Sequence, residues 1–397
     1  MLLCFILNGF GCSQPVKQAA VPVKPSLERI DSAIGLSTAY LVNAVKPNGQ
    51  FTYRVHPYRI FQQDQAYNIL RHAGTMIALA QAHRLQPDEA VGRALLSAGR
   101  FMTSTSMAPL PGRSDMLGIW SLPAVNKTGK PPQVKLGGTG LGLAALVRIE
   151  KIKPGTTPLA DLRRLGRFLL YMQKPNGDFY SKFIPSNGGR YDRWRSLYYP
   201  GQAALGLLML NDLDPGEKWL TAAANALAYL INHRDVTSSD HWLLIAGDKL
   251  MSVQHYPESI LPRRLLVEHT ARVCETIFQE QILYSDHPRR IGGYTLDGRT
   301  TPTSTRVEGL GAALRIIGSG DALLTHTVKD SIREAVGFLL RAQIVGGRYA
   351  GGIPRGVDRL QGNPAFNRRY REIRIDYVQH ALSAMIEFKR FSSTDKQ

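Results

Sequence analysis

Hydrophobic positions recur along this chain with a helical period, in two alternating styles. In one style the apolar residues form a single stripe, as Leu159, Leu162, Leu165, Phe168 and Leu169 do between charged positions, which marks an amphipathic helix. In the other, Ala, Gly and Leu fill nearly every position, which marks a helix buried on all sides. The striped segments predict helices over about 27–45, 87–103, 159–173, 216–233, 263–282 and 328–343. The fully apolar segments predict partners over about 64–81, 136–149, 199–212, 239–247, 305–317 and 373–388.

A repeat runs through the same segments. Tyr40-Leu41-Val42-Asn43-Ala44-Val45-Lys46-Pro47-Asn48-Gly49-Gln50-Phe51 matches Phe168-Leu169-Leu170-Tyr171-Met172-Gln173-Lys174-Pro175-Asn176-Gly177-Asp178-Phe179. A third copy is Phe338-Leu339-Leu340-Arg341-Ala342-Gln343-Ile344-Val345-Gly346-Gly347-Arg348-Tyr349, and a degenerate one passes through Phe278, Gln281 and Gly292-Gly293-Tyr294. Each copy is a helix end, a turn with glycine and then an aromatic residue. Proline stops the helix, and glycine supplies the positive φ that the turn needs. Six amphipathic helices alternating with six apolar ones close as two concentric rings, which leaves no repeat with an exposed apolar end. The expected fold is therefore all-α, an (α/α)6 toroid of six helical hairpins over residues 27–391, with a short tail at 392–397.

The segment Phe168-Leu169, Gln173, Gly177, Phe179 is similar to the QW repeat of terpenoid cyclases, with phenylalanine in place of tryptophan. The hairpin series as a whole resembles the six-hairpin toroid superfamily. That resemblance implies a ring whose members include glycosidases, uronate-processing lyases and epimerases, and the cyclases. The acidic cyclase motifs DxDD and DDxxD are absent from this sequence, which argues against terpenoid cyclisation.

Ahead of the ring, Leu2–Phe10 is a short apolar run followed by Gly11-Cys12-Ser13-Gln14 and a polar stretch containing proline. This resembles the end of a bacterial lipoprotein signal, so residues 1–12 read as a truncated signal and 13–26 as a linker. The expected location is the periplasm or cell envelope, with the membrane reached only through a lipid anchor at Cys12. The apolar run falls short of the ~20 residues that a bilayer span needs. Cys4, Cys12 and Cys274 support neither a disulfide framework nor a CxxC metal site. Cys274 follows Val267 and Ala271 and precedes Phe278 on one helix face, a core position.

The 397 residues carry 49 Lys+Arg against 31 Asp+Glu, a formal charge of +18, which favours an anionic partner. Nucleic acid is not expected, because no zinc spacing, RNP-type segment or basic coiled coil is present. Gly137-Gly138-Thr139-Gly140-Leu141-Gly142 lacks the preceding strand of a dinucleotide site, so close helix packing explains it better. No cofactor and no metal are called for.

In a ring of hairpins the inner helix starts share one mouth, where free N–H groups and positive dipole ends gather. Polar residues recur there: Asp64, Gln65, Tyr67, Asn68, Arg71 and His72; Tyr198, Tyr199 and Gln202; Asp240, His241 and Trp242; Arg306 and Glu308; Arg374, Asp376, Tyr377, Gln379 and His380. Trp120 lies in a loop before the second start. Asp240, Glu308 and Asp376 are the carboxylate candidates for hydrolysis, which requires two of them. His72 and His380, with Tyr199, are candidate bases for elimination or epimerisation. Arg71, Arg306 and Arg374 suit a substrate carboxylate, and Tyr67, Tyr199, Gln202, Trp120, Trp242, His241 and Tyr377 complete a binding wall. The expectation is an exported enzyme acting on an anionic, uronate-containing polysaccharide by hydrolysis, elimination or epimerisation. The alternative is a non-catalytic envelope lipoprotein that binds a glycan or a protein partner.

Overall fold

Short capping residues set the helix starts. Ser26, Asn68, Asp88, Asp240 and Asp321 each accept a backbone N–H from the first turn of the helix that follows, satisfying donors that have no partner inside the helix. The computed structural model describes residues 25–58, 66–127, 129–233, 239–318 and 320–394. The signal-like segment, Cys12, Asp64 and Gln65 lie outside the described residues.

In chain order the helices begin with α1 (Leu27–Asn43), α2 (Ile69–Leu85), α3 (Glu89–Ser106), the short α4 (Pro123–Asn126), α5 (Leu136–Ile152), α6 (Leu159–Tyr171) and α7 (Tyr199–Asn211). They continue with α8 (Glu217–His233), α9 (His241–Met251), α10 (Arg263–Glu280), α11 (Thr300–Ile317), α12 (Ala322–Ala342), the short α13 (Pro364–Asn367) and α14 (Ile375–Thr394). The inner ring is α2, α5, α7, α9, α11 and α14, each packed on the next, with α14 returning to α2. The amphipathic helices α1, α3, α6, α8, α10 and α12 lie outside it. This is the (α/α)6 toroid.

Glycine sets how closely inner helices approach. A Cβ on Gly206 would lie 2.6 Å from the carbonyl oxygen of Gly140, so α5 and α7 touch backbone to backbone. The glycine run that begins at Gly137 is thus a packing surface.

The sequence repeat turns out to be a clasp between neighbouring hairpins. Gln173, Gln281 and Gln343, each just past the end of an outer helix, donate from Nε2 to the carbonyls of Ala222 (2.8 Å), Ser331 (2.9 Å) and Ala33 (2.9 Å). These acceptors lie on the next outer helix, and for Gln343 the next one is α1. The glycine that follows, at positive φ, presses on the same helix: Gly177 on Asn225, Gly292 on Glu334 and Gly351 on Leu36. Gly49 makes the same approach to Ser97 without the glutamine. Replacing Gln173 with alanine is expected to cost about 1–3 kcal/mol, because the Ala222 carbonyl loses its side-chain donor. A urea midpoint that falls at unchanged m value would show it.

Short strands, which the helical pattern did not predict, fill the loops at the mouth. They are β1 (Arg54–Val55), β2 (Met107–Leu110), β3 (Arg113–Ser121), β4 (Gln133–Lys135), β5 (Lys182–Ile184), β6 (Gly189–Tyr191) and β7 (Ile373–Arg374). β1 pairs with β7, and β2 to β6 form one antiparallel sheet in sequence order. Trp120 belongs to that sheet rather than to a substrate wall. It is buried on β3, donates its indole N–H to Ala108 (3.0 Å) and meets Phe183 edge-on.

Candidate active site

The inner helices run parallel, so the predicted polar residues do gather at one end, but many are already engaged. Asp376, in the first turn of α14, is buried between two arginines. Arg71 Nε lies 2.9 Å from its Oδ2, and Arg374 grips it with Nε at 2.5 Å and Nη2 at 2.9 Å. Burial alone would raise this carboxyl, but Arg71 and Arg374 outweigh it and hold it below the usual carboxylate range. Asp376 is therefore a fixed anion. Arg71 also donates to the Tyr53 hydroxyl (2.5 Å), and Arg374 lies 4.4 Å above the Tyr377 ring. Arg306 reaches back to Glu280 at the end of α10, with both contacts to Oε2 at 2.9 and 2.7 Å. The three arginines expected to meet a substrate carboxylate thus hold carboxylates of the chain itself.

A second cluster joins three inner helices. Glu308 on α11 accepts from His380 Nδ1 on α14 at 2.8 Å, and His241 at the start of α9 comes within 3.9 Å of the same oxygen. The two imidazoles face each other edge to face, with centroids 5.8 Å apart. His241 is 4% exposed, and neither ring nitrogen has a hydrogen-bond partner. Their environments drive them apart. Burial, then His380 and Arg306, push His241 well below the ordinary histidine value. Burial also disfavours the charged form of His380, but Glu308 and, further off, Asp376 more than reverse it and raise that histidine. Ligand atoms of His241, Glu308 and His380 all lie within 4.8 Å of one another, close enough to share one cation. Gln379 stands beside His380, with its Oε1 held by the Thr75 hydroxyl at 3.1 Å.

Other candidates have structural duties. Asp240 caps α9, accepting from Trp242 N (3.1 Å) and Leu243 N (3.4 Å). Trp242 is buried where Gly201 lets α7 pack on α9. His72 is fully buried between Tyr67 Oη (2.7 Å) and the Ala98 carbonyl (2.9 Å), and burial lowers it to about 4. Tyr67 in turn accepts the Phe51 N–H, so this pair fastens α2 to its surroundings rather than meeting substrate. Tyr199 stays at the mouth, its phenol pushed up to about 12 by burial against the pull of Arg71. Gln202 is wedged against Gly137 with its Oε1 unpartnered. Cys274 is buried and raised to about 12, first by burial and then by Glu275, as an inert core thiol should be.

Sequence reasoning missed Lys135, Lys182 and Trp194. Lys182 Nζ sits 4.0 Å above the Trp194 ring, which meets Tyr199 edge-on at 5.7 Å. Trp194 is 44% exposed, a large flat apolar face close to Tyr198, whose ring packs on His241 at 5.3 Å. The available signal was the loop Trp194–Tyr199 itself, rich in aromatics just before an inner helix.

No family model and no curated protein matches the sequence. Solved structures do match in three dimensions. Cellobiose 2-epimerase from Bacillus thermoamylovorans B4167 aligns with a TM-score of 0.67 at 14% identity, over 92% of this chain and 98% of that one. A D-mannose isomerase aligns at 0.64 and 11% identity, over 92% and 98%. The alpha-1,6-mannanase of Salegentibacter sp. HEL1_6 aligns at 0.58 and 10% identity, over 91% and 98%. What this chain shares with them, over nearly its whole length, is the fold: the six-hairpin (α/α)6 toroid.

Proposed function

We propose that this protein is a carbohydrate-active enzyme that moves a proton at a carbon beside a sugar carbonyl, as an epimerase or isomerase does. The facing pair His241 and His380 carries the reading. Two titratable groups whose surroundings push them in opposite directions supply a base and an acid at one pH. Neutral His241 would take the proton from the carbon, leaving an enediol. Protonated His380, backed by Glu308, would place its proton on the carbonyl oxygen. Return of a proton to carbon, with one enediol oxygen giving its proton back to His380 as the carbonyl re-forms, completes either outcome with no net redox change: loss from the original carbonyl oxygen gives epimerisation, loss from the neighbouring oxygen gives isomerisation.

Glycoside hydrolysis is less well supported. It needs two carboxylates flanking the bond, whereas Asp376 is locked by two arginines, Asp240 caps a helix and Glu308 is spent on His380. One mannanase neighbour is described as inactive when two adjacent aspartates are replaced. The only consecutive acidic pair here, Asp88-Glu89, starts outer helix α3 at the opposite end of the ring. The epimerase and isomerase among the structural neighbours fit the proton-transfer reading. The charge of +18 keeps an anionic sugar as the substrate class, and the signal-like start keeps the cell envelope as the place of action.

Deuterium decides between the chemistries. Incubation with candidate sugars in D2O is expected to place solvent deuterium on the carbon beside the carbonyl, with no new reducing ends and no loss on chelation. Release of reducing ends without label would instead establish hydrolysis, and activity restored only by a divalent cation would make the histidine pair a metal site.

A further inference from the structure

We infer that the mouth contains a subsite for an anionic group of the substrate, built by Lys135 and Lys182 at the start of α5. The inference rests on the sugar-enzyme reading above and adds the chemistry of the ligand.

The two lysines are direct register partners across β4 and β5. Like charges placed opposite each other destabilise a sheet, and here the pair is only half exposed. Among the described residues neither lysine has a carboxylate within ion-pair distance, although Arg71, Arg306 and Arg374 at the same mouth all do. Burial, then Lys182, Lys130 and Arg71, press Lys135 down to about 8. Two unneutralised cations held side by side in a partly desolvated place favour an anion between them.

The backbone points the same way. Lys135 is the cap residue of α5, and no side chain caps that helix. The Leu136 N–H is taken by the Ser181 carbonyl (3.0 Å), which leaves Gly137 and Gly138 to bring the positive dipole end to the lysines, and the buried, unpartnered Oε1 of Gln202, packed against Gly137, is an acceptor suited to a sugar hydroxyl. Beside them the exposed face of Trp194, under Lys182, and the Tyr199 ring give a sugar ring something flat to lie on. Arg71 connects this place to the histidine pair. It is near enough to depress Lys135 on one side, and on the other it holds Asp376, whose charge reaches His380.

Lysine is a point charge without the fork that selects planar carboxylates, so the shared chemistry is a sugar anion, carboxylate or phosphate. The test is calorimetric titration of the full chain with D-galacturonate, D-galactose, glucose 6-phosphate and glucose, alongside the double variant Lys135→Met, Lys182→Met. At least one anion should bind about ten-fold tighter than its neutral counterpart at about 50 mM salt, with the margin shrinking at about 500 mM. In the variant each anion should bind no tighter than its neutral counterpart, and the unliganded form should melt no lower than wild type because a like-charge pair has gone. Preference for galacturonate names a sugar acid, and preference for glucose 6-phosphate a sugar phosphate. Equal affinities, no binding of any of the four, a preference surviving in the variant, or a variant that melts lower would each overturn the subsite. Deuterium exchange into neutral sugars alone would end it while keeping the proton-transfer reading, and charge-selective binding without exchange would do the reverse.

Discussion

Replacing His241 with glutamine is expected to lower turnover by about 10²–10⁴-fold, the usual contribution of a positioned acid or base, while the protein stays folded. Glutamine fills similar space, and the imidazole it replaces makes no hydrogen bond that would be lost. The effect should fall on kcat rather than KM, because the substitution removes proton transfer and not a binding contact. His380→Gln should lose a similar factor but also some stability, since its Nδ1 bond to Glu308 goes with it. The pH profile separates the roles. The proposed proton transfer requires His241 neutral and His380 charged. It should rise as pH passes the depressed His241 value and fall as pH passes the elevated His380 value, a plateau that straddles the ordinary histidine range. Stability follows a related sign: the His380–Glu308 contribution is full below the unfolded histidine value and fades as pH rises through the folded one. A His241→Gln enzyme with wild-type kcat would remove that histidine from the chemistry altogether.

The largest expected loss of stability is at Gly351. Its φ is +83°, and a methyl group there would overlap the Leu36 carbonyl on α1, which is backbone and cannot rotate away. Gly351→Ala is expected to cost about 3 kcal/mol or more, combining left-handed strain with a forced separation of the last turn from the first helix. Gly347 is the internal control. It has φ +73°, yet nothing lies within 4 Å of an added Cβ, so Gly347→Ala should cost only about 1 kcal/mol. Equal shifts in the urea midpoints of the two variants would mean that the clasp onto α1 is looser than the close approach requires.

Helices were legible because their signals are local. A stripe or an all-apolar run says which face is buried whatever lies across from it, so even the short α9 emerged near its observed Asp240 cap. The repeat around Gln173 and Gly177 was visible as a pattern, but its purpose was not, since the acceptor at Ala222 lies 49 residues on. The sheet was hidden for a different reason. β4 and β5 have three residues each, too few for alternation to register, and Lys135 meets Lys182 only through that pairing. The same limit governs the site. The sequence placed Arg71, Glu308, Asp376 and His380 at a common mouth, yet it could not show that Arg71 would be spent on Asp376 or Arg306 on Glu280. In sequence His241 has the character of a contact residue, and its opposition to His380 exists only through the packing of α9 and α14 around α11. His72, an equal candidate in sequence, differs only in being walled in by Tyr67 and Ala98.

Ring closure has a consequence for how the molecule comes into being. Gln343 bonds Ala33, Ser37 bonds Gly351, Thr75 meets Gln379 and Gln81 meets Ser383, all across more than 300 residues of chain. Such contacts form last, because the long loop must be closed before they give anything in return. A nascent chain emerging from the ribosome therefore holds an open crescent of hairpins, with one apolar flank on α1 and α2 and no partner yet made for it. His380 arrives on α14, the helix that closes the ring, so its bond to Glu308 and its contact with His241 form only at that step. The contacts that finish the ring are also the ones that assemble the cluster of His241, Glu308 and His380.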